Sequence, residues 1–326
     1  MSPTSKTKIQ IEGSVAPGFE SVKALYEYNM QNLAERNTQL CIYHKGEKVV
    51  DLWATTIEDV KFSADSLVNI FSSGKSLEAI AMASLVGQGL LNFEANIIDY
   101  WPEFGSKGKG RLRVADLMRH EAGLASFDVS IDTEDLLLAN IKQNKVGVII
   151  ENHGQRFREG EGSTREYHAV TRGWIVNEVY RRIDPKGRTI GEYLLEEFNL
   201  PLKVDVVIGV KEEELSRISP VFLLKPGYIF KESMKPKILK RKMEDNIFQL
   251  GGKVFRILSS VRKSKNYGGP PPLEGMKGIN FFNEPSLAMG ETPSANTHAT
   301  ARGLAKIAAV MAAGGQLEGK EYLNKV

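Results

Sequence analysis

The stretch FSSGKSLEAIAMASLVGQG occupies residues 71–89. Its apolar residues recur at steps of three and four: Leu77, Ile80, Ala81 and Leu85. That spacing predicts a helix with one buried face, and Gly87 and Gly89 are typical of its end. Ser72 and Lys75 precede this face, so the sequence places a hydroxyl and an amine about one helical turn apart where a helix enters a core.

A serine and a lysine at this spacing can form a nucleophile and its base. A serine hydroxyl is a weak nucleophile until a base removes its proton. Lys75 lies on the same helix face as Ser72, and partial burial near another cation or a helix N-terminus lowers the pKa of a lysine. Backbone N–H groups at a helix start can stabilise a developing oxyanion. Ser72 and Lys75 are therefore candidate catalytic residues.

The pattern S-x-x-K is weak evidence by itself. It occurs four times in this chain: at Ser5/Lys8, Ser72/Lys75, Ser106/Lys109 and Ser260/Lys263. Only the second copy lies between an apolar strand pattern, LVNIF at residues 67–71, and a long apolar helix. Out of context, the pattern is better explained by an N-cap serine followed by a lysine that extends to solvent.

The flanking sequence mixes strand and helix patterns. Residues 19–36 have the spacing of an amphipathic helix, and the strand patterns LCIYH and VVDLWA are joined by a hairpin signal at residues 45–48. Further helix patterns follow: residues 113–120, residues 133–142 with Asp132 or Thr133 as cap, AVTRGWIVNEVYRR from near Tyr167, TIGEYLLEEF, and residues 299–313. Because strands and helices do not alternate regularly, the prediction is an α/β protein of the α+β type with an antiparallel sheet.

Residues 211–285 lack a clear pattern. Prolines and glycines interrupt them, among others at Pro226, Pro236, Gly269 and Pro270. We therefore predict a loop-rich insertion within a single domain that spans residues 1–326. The segment contains a basic run, KPKILKRK at residues 235–242. A nuclear import signal, an anionic lipid contact, a nucleic-acid contact or a solvated loop would each explain the run, and the solvated loop is favoured.

Composition narrows the functional classes. The chain has 326 residues, 42% of them hydrophobic, and a net charge of +3, so we expect a sizeable core and no nucleic-acid partner. Cys41 is the one cysteine, and the five histidines lack metalloprotease spacing, so we predict no disulfide framework, no metal and no other cofactor. Neither a secretory signal nor an apolar stretch long enough to span a membrane is visible, which makes a cytoplasmic location the expectation.

Two longer segments resemble a known family. FSSGKSLEAIAMASLVGQGLLNFEANIIDYWPEF at residues 71–104, followed by LRVADLMRHEAGL at residues 112–124, is similar to the serine β-lactamase and penicillin-binding-protein-like family. More narrowly, it resembles class C-like esterases and β-lactamase-domain proteins. The resemblance implies a β-lactamase/transpeptidase-like fold, in which an antiparallel sheet is flanked by helices and accompanied by an all-helical subdomain.

The resemblance also implies a third catalytic residue. EYHAVTRGWIVNEVYRR at residues 166–182 resembles the esterase-like form of the family's second motif, in which YHA replaces Y-x-N. Tyr167 then corresponds to a tyrosine that shares a proton with the lysine, here Lys75. The alternative for Tyr167 is an amphipathic tyrosine at a helix start. Ala169 stands where β-lactamases carry an asparagine that positions amide substrates, which favours esters over lactams.

The family's third motif, Lys or His followed by any residue and Gly, is not found after the last predicted helix. His44-Lys45-Gly46 matches this motif but lies in the predicted hairpin turn. We therefore expect a chain truncated at its C-terminus, with an incomplete sheet. The function implied by the resemblance is hydrolysis of small carboxylic esters, or of lactams or peptide amides, through an acyl-enzyme on Ser72. The alternative is a non-catalytic scaffold or interaction protein of the same fold.

Overall fold

The computed structural model describes residues 9–56, 61–157, 165–263 and 269–323. The Ser5/Lys8 copy of S-x-x-K and the side chains of Ser260 and Lys263 lie outside the described part. Within that part, helices pack around one large and one small hydrophobic core, together with two main sheets and a short hairpin.

The N-terminal sheet confirms the predicted hairpin. Its strands are β1 (Gln10–Val15), β2 (Asn37–His44) and β3 (Glu47–Thr55), paired antiparallel in the order β1-β3-β2. Lys45 and Gly46 join β2 to β3 and both have positive φ, as in the favoured two-residue hairpin turns. Helix α1 (Glu20–Asn32) contributes the buried Tyr26 and Met30 to the small core. It ends before residue 36, because the chain becomes extended to enter β2.

A second sheet brings distant parts of the chain to the start of the central helix. Its strands are β4 (Leu67–Asn69), β5 (Val206–Ile208), β6 (Ile218–Ser219) and β7 (Thr297–Ala299), in the order β5-β7-β4-β6. β4 pairs antiparallel with β7 and parallel with β6. Because β4 leads directly into residues 71–89, this sheet determines where that stretch begins. The strands β8 (Gln316–Leu317) and β9 (Lys320–Glu321) form the separate short hairpin.

The predicted helix over residues 77–85 is confirmed. The remaining helices are α2 (Gly74–Gly87), α3 (Val114–Met118), α4 (Leu138–Lys142), α5 (Lys145–Glu151), α6 (Thr171–Ile183), α7 (Ile190–Leu194), α8 (Leu200–Leu202), α9 (Pro226–Met234), α10 (Ile247–Lys263), α11 (Pro285–Met289) and α12 (Ala301–Ala312). In α2, Leu77, Ala81 and Leu85 are buried, and the helix packs against the almost fully buried α6. None of the helices in the described ranges has the length and apolar character that crossing a bilayer requires.

The helix predicted at residues 133–142 is interrupted. A 3₁₀ turn, Thr133–Leu136, precedes α4, because Leu137 between them has extended backbone. Asp132 caps the turn by accepting the Glu134 N–H at 3.0 Å. The pattern over residues 133–142 therefore indicated the right helical character, but one extended residue divides it into two elements.

The prediction that a helix begins near Tyr167 is wrong. α6 begins at Thr171, so Tyr167 lies in the preceding loop. The backbone of this loop bonds to another loop instead of forming a helical turn: the Glu166 N–H donates to the His120 carbonyl at 2.9 Å. The Ala169 carbonyl, which a helix starting near Tyr167 would use for its own hydrogen bonds, instead accepts a bond from the Lys75 amine. Contacts with residues distant in the sequence therefore hold residues 166–169 outside the helix.

The segment 211–285 contains more helix than its sequence pattern indicated. Both α9 and α10 lie in it, and α10 is 17 residues long. Gly251 and Gly252 lie inside α10, and each glycine disfavours a helix by about 1 kcal/mol, so the local pattern favoured a loop. Whether the segment is an insertion into the domain stays a prediction.

α2 begins in direct contact with residues 293–297. A Cβ on Gly74 would lie 2.1 Å from the Pro293 carbonyl oxygen, so this close approach requires glycine. The Thr297 hydroxyl donates to the same carbonyl at 2.9 Å. The start of α2 is thus fixed against the segment that precedes α12.

The burial of His298 in β7 predicts acid sensitivity of the fold. Burial lowers the pKa of His298 to about 4, whereas an unfolded histidine titrates at about 6.5. Between these pH values the unfolded chain binds a proton that the folded chain does not, so the free energy of unfolding falls as the pH falls through this range. We expect His298→Gln to make this fall smaller, as measured by urea unfolding at about pH 7 and about pH 4.5. The same pH dependence in both proteins would contradict the prediction.

Candidate active site

Ser72 lies on a tight turn between β4 and α2. Residues Phe71–Ser73 form one 3₁₀ turn, and Phe71 has a φ of 46°, in the left-handed region that bulky residues rarely adopt. The Asn69 side chain stabilises this conformation: it accepts the Phe71 N–H at 2.7 Å and donates to Asn296 Oδ1 at 2.9 Å. The turn leaves Ser72 exposed. Backbone strain of this kind costs about 1–3 kcal/mol and is concentrated at functional sites.

Lys75 is half-buried one helical turn further along. Its Nζ donates hydrogen bonds to the backbone carbonyls of Ala169 at 2.7 Å and Ser294 at 3.0 Å. Burial lowers the pKa of Lys75, although Tyr167 and Glu78 nearby oppose the shift. The two carbonyls fix the amine, and the third N–H of the ammonium is available for a further hydrogen bond.

Tyr167 completes the cluster from the loop before α6. Its hydroxyl donates a hydrogen bond to Ser72 Oγ at 2.6 Å, and Lys75 Nζ is 4.8 Å from the centre of its ring. Partial burial raises the pKa of the phenol, but the hydrogen bond to Ser72 and the Lys75 ammonium outweigh this, so the pKa of Tyr167 is lowered. Tyr167 is 54% exposed, which leaves its contact with Ser72 accessible from solvent. The structure thus brings together all three residues selected from the sequence.

Two histidines hold the loop that carries Tyr167. The His168 backbone N–H donates to His120 Nδ1 at 3.1 Å, and the Leu124 N–H donates to His168 Nε2 at 3.0 Å. The His120 ring packs against Tyr167 with 5.0 Å between ring centres. Burial lowers the pKa of His120 to about 4, so this ring is neutral at neutral pH and can accept the bond. Both histidines belong to the sequence motifs, but their bonds join loops that are distant in sequence.

A buried ion pair beneath Lys75 links α2 to α6. Arg172 Nε donates to Glu78 Oε2 at 2.9 Å, and Glu78 is fully buried. Arg172 also donates to the Lys75 carbonyl at 3.1 Å, and the Ser294 hydroxyl donates to Glu78 Oε1 at 2.5 Å. The segments that form the site therefore share one polar network. A signal for this pair is present in the sequence, because Glu78 falls on the apolar face of α2, four residues before the buried Met82.

The Ser106/Lys109 copy shows a structural use of the same pattern. Lys109 is fully buried, and its Nζ donates to the carbonyls of Ser106 at 3.0 Å, Glu151 at 2.9 Å and His153. Burial lowers the pKa of Lys109 to about 8. The Ser106 hydroxyl donates to the Glu151 carbonyl. The hydrogen bonds of this amine go to backbone carbonyls, whereas Lys75 also lies beside the side chain of Tyr167.

The groups around Ser72 suit acid–base and nucleophilic chemistry. They are a hydroxyl, an amine and a phenol at the start of a helix. In the part of the chain that the structure describes, no group of three or more His, Cys, Asp and Glu side chains could hold a metal ion. The expectation that the reaction uses no cofactor stays a prediction.

The fold and this cluster define a class of protein. A serine before a helix and a lysine one turn later form the S-x-x-K pattern of class A β-lactamases and penicillin-binding proteins. The family model described as Beta-lactamase matches residues 22–217, more than half of the chain. The chain belongs to the Beta-lactamase family, as the sequence motifs predicted.

Individual relatives agree with this assignment. LipL of Mycobacterium tuberculosis, described as an esterase/beta-lactamase, is 26% identical over 321 residues, which cover 97% of this chain and 68% of LipL. A family VIII carboxylesterase of known structure is 26% identical with a TM-score of 0.73, over 97% of this chain and 75% of the esterase. A penicillin-binding protein homolog from Caulobacter crescentus is 26% identical with a TM-score of 0.69, at the same coverage. These similarities confirm the predicted β-lactamase/transpeptidase-like fold.

The buried ion pair predicts a large effect on stability. Glu78→Gln leaves Arg172 buried without its carboxylate, and breaking a buried pair from one side costs about 3–5 kcal/mol. Glu94→Gln is the matched control, because Glu94 pairs with Arg113 at the surface, where such a pair contributes about 0–1 kcal/mol. Urea unfolding measures both losses. If Glu78→Gln lost no more stability than Glu94→Gln, the network would not hold the site together.

Proposed function

We propose that the protein is a serine hydrolase that cleaves small carboxylic esters through an acyl-enzyme on Ser72. The observation that carries the proposal is the 2.6 Å hydrogen bond between Tyr167 and Ser72, beside the Lys75 amine. Membership of the Beta-lactamase family supports the hydrolase class. The descriptions of similar proteins as an esterase/beta-lactamase and a carboxylesterase support an ester as the substrate.

Tyr167 and Lys75 share one proton in this mechanism. The pKa values of both side chains are lowered, and the attraction between a phenolate and an ammonium favours the charged pair. Ionised Tyr167 accepts the hydrogen bond from Ser72 and removes its proton as Oγ attacks the carbonyl carbon. Lys75, held by two carbonyls, stabilises the negative charge on Tyr167.

Acyl transfer then proceeds in two steps. Ser72 Oγ forms a bond to the carbonyl carbon, and the carbon–oxygen bond to the alcohol breaks as Tyr167 returns the proton to the leaving oxygen. Water next attacks the carbonyl carbon of the acyl-serine while Tyr167 or Lys75 removes a proton from the water. The bond between this carbon and Ser72 Oγ then breaks, and the same group returns the proton to Oγ, which releases the acid and restores Ser72. The backbone N–H of Ser72 serves as one donor to the oxyanion in both steps.

Ala169 is the basis for preferring an ester to a lactam or peptide amide. Its backbone carbonyl accepts a hydrogen bond from Lys75, and its methyl side chain offers no hydrogen bond to a substrate. An asparagine at this position could bind the amide group of a lactam. An ester has no N–H group and loses no hydrogen bond at this position.

Removing the proposed nucleophile should abolish covalent labelling. Ser72→Ala lacks the attacking oxygen, while Ser73→Ala is a matched control because Ser73 is the neighbouring exposed serine. We expect a fluorophosphonate probe to label the wild type and Ser73→Ala but not Ser72→Ala, and ester hydrolysis by Ser72→Ala to fall by more than about a thousandfold. A wild type that is not labelled would instead favour the non-catalytic scaffold.

The substrate class can be tested separately. We expect kcat/KM for a short-chain nitrophenyl ester to exceed that for a chromogenic cephalosporin by at least about tenfold. Ala169→Asn should reduce this ratio, because it supplies a side-chain amide next to the bound substrate. Faster turnover of the cephalosporin by the wild type would overturn the ester preference while leaving the acyl-enzyme mechanism intact.

A further inference from the structure

The part of the chain from α9 to α10 exposes apolar side chains that a globular protein normally buries. Ile238 is 89% exposed, Phe248 86% and Phe255 73%. Three further residues are more than half exposed: Phe230, Met234 and Leu239. We call these six residues, together with Lys237 and Lys240, the apolar–basic surface. A concentration of exposed apolar groups marks an interaction site, whereas a solvated loop would be polar.

Positive charge is concentrated in the same region. Residues 225–256 contain nine Lys and Arg against three Asp and Glu, a net charge of +6, although the whole chain carries only +3. The remainder of the chain is therefore slightly negative. Lys237 and Lys240 are exposed on either side of Ile238 and Leu239, so cationic and apolar groups lie within a few residues of each other.

Helix α10 separates its apolar side chains from its basic ones. Phe248 and Phe255 are seven residues apart and share one face of the helix. Lys253 and Arg256 project from a different side. Apolar aromatic residues on one face and basic residues on the other are typical of a helix that lies in the plane of a membrane surface.

We propose that the apolar–basic surface binds the face of an anionic phospholipid bilayer. The phenylalanine and isoleucine side chains enter the boundary between headgroups and acyl chains, and the lysines attract the anionic headgroups. A nucleic-acid duplex would engage the lysines but leave Phe248 and Phe255 in water, and a single strand that stacked bases on the phenylalanines would leave Ile238 and Leu239 exposed. A second copy of the chain would cover the apolar groups but bring together two regions of net charge +6. The inference goes beyond the proposed hydrolase activity and does not depend on it.

Co-sedimentation of the full chain with lipid vesicles tests the proposal. We expect binding to vesicles of phosphatidylserine and phosphatidylcholine to be at least about tenfold tighter than to phosphatidylcholine alone, and to weaken at high salt. Phe248→Ser with Phe255→Ser removes the apolar part, and Lys237→Glu with Lys240→Glu reverses the basic part. Each double variant should bind at least about tenfold more weakly than the wild type.

A matched control lies on another helix. Lys145→Glu with Val148→Ser changes one exposed lysine and one exposed apolar residue on α5, and this variant should bind as the wild type does. Circular dichroism and urea unfolding confirm that each variant is folded. The proposal is wrong if wild-type protein does not sediment with anionic vesicles, if it binds both vesicle types equally, or if the double variants bind as tightly as the wild type. If the wild type does not bind vesicles but forms a dimer, and the phenylalanine double variant does not form this dimer, the surface serves self-association instead.

Discussion

The proposed chemistry depends on one constraint, which is that the Lys75 amine is held by two backbone carbonyls. These carbonyls belong to Ala169 and Ser294, which are 94 and 219 residues away along the chain. A lysine at an exposed helix start would extend into solvent. When two N–H groups of the ammonium are bound to carbonyls, its third N–H can donate a hydrogen bond to a neighbouring hydroxyl. The proposed action of Tyr167 on Ser72 therefore requires that the start of α2, the loop before α6 and the segment before β7 stay together.

The interactions that keep these segments together are polar and mostly buried. The Glu78–Arg172 pair joins two core helices, and the His120–His168 contact joins two loops. A buried pair adds little stability over an apolar pair of the same shape, but removing one partner leaves a charge that water cannot reach. The geometry of the site therefore depends on a few buried polar groups, each of which needs its partner to stay in place. The apolar–basic surface lies on a different segment, so we expect that the proposed lipid binding and the proposed hydrolysis can be altered independently.

Residues with local signals could be predicted from the sequence, and residues that depend on long-range packing could not. The spacing of apolar groups after Ser72 and Lys75 indicated the helix and its start, and the structure agrees. Tyr167 was recognised through a motif, but its loop conformation depends on a bond to a distant loop that no local pattern contains. The same holds for Glu78 and Arg172: a charge on an apolar face signals a buried partner but does not identify it. The helix α10 was missed because its two internal glycines outweigh its apolar periodicity.

The proposed mechanism requires that Ser72 becomes acylated because Tyr167 removes its proton. Rapid-quench mass spectrometry measures this step directly. The protein is mixed with nitrophenyl acetate, the reaction is stopped with acid, and the protein is digested to locate the acyl group. We expect acylation of Ser72 in the wild type and acylation at least about a hundredfold slower in Tyr167→Phe, which keeps the ring but lacks the hydroxyl. An acyl group on another residue, or an equal rate in Tyr167→Phe, would contradict it.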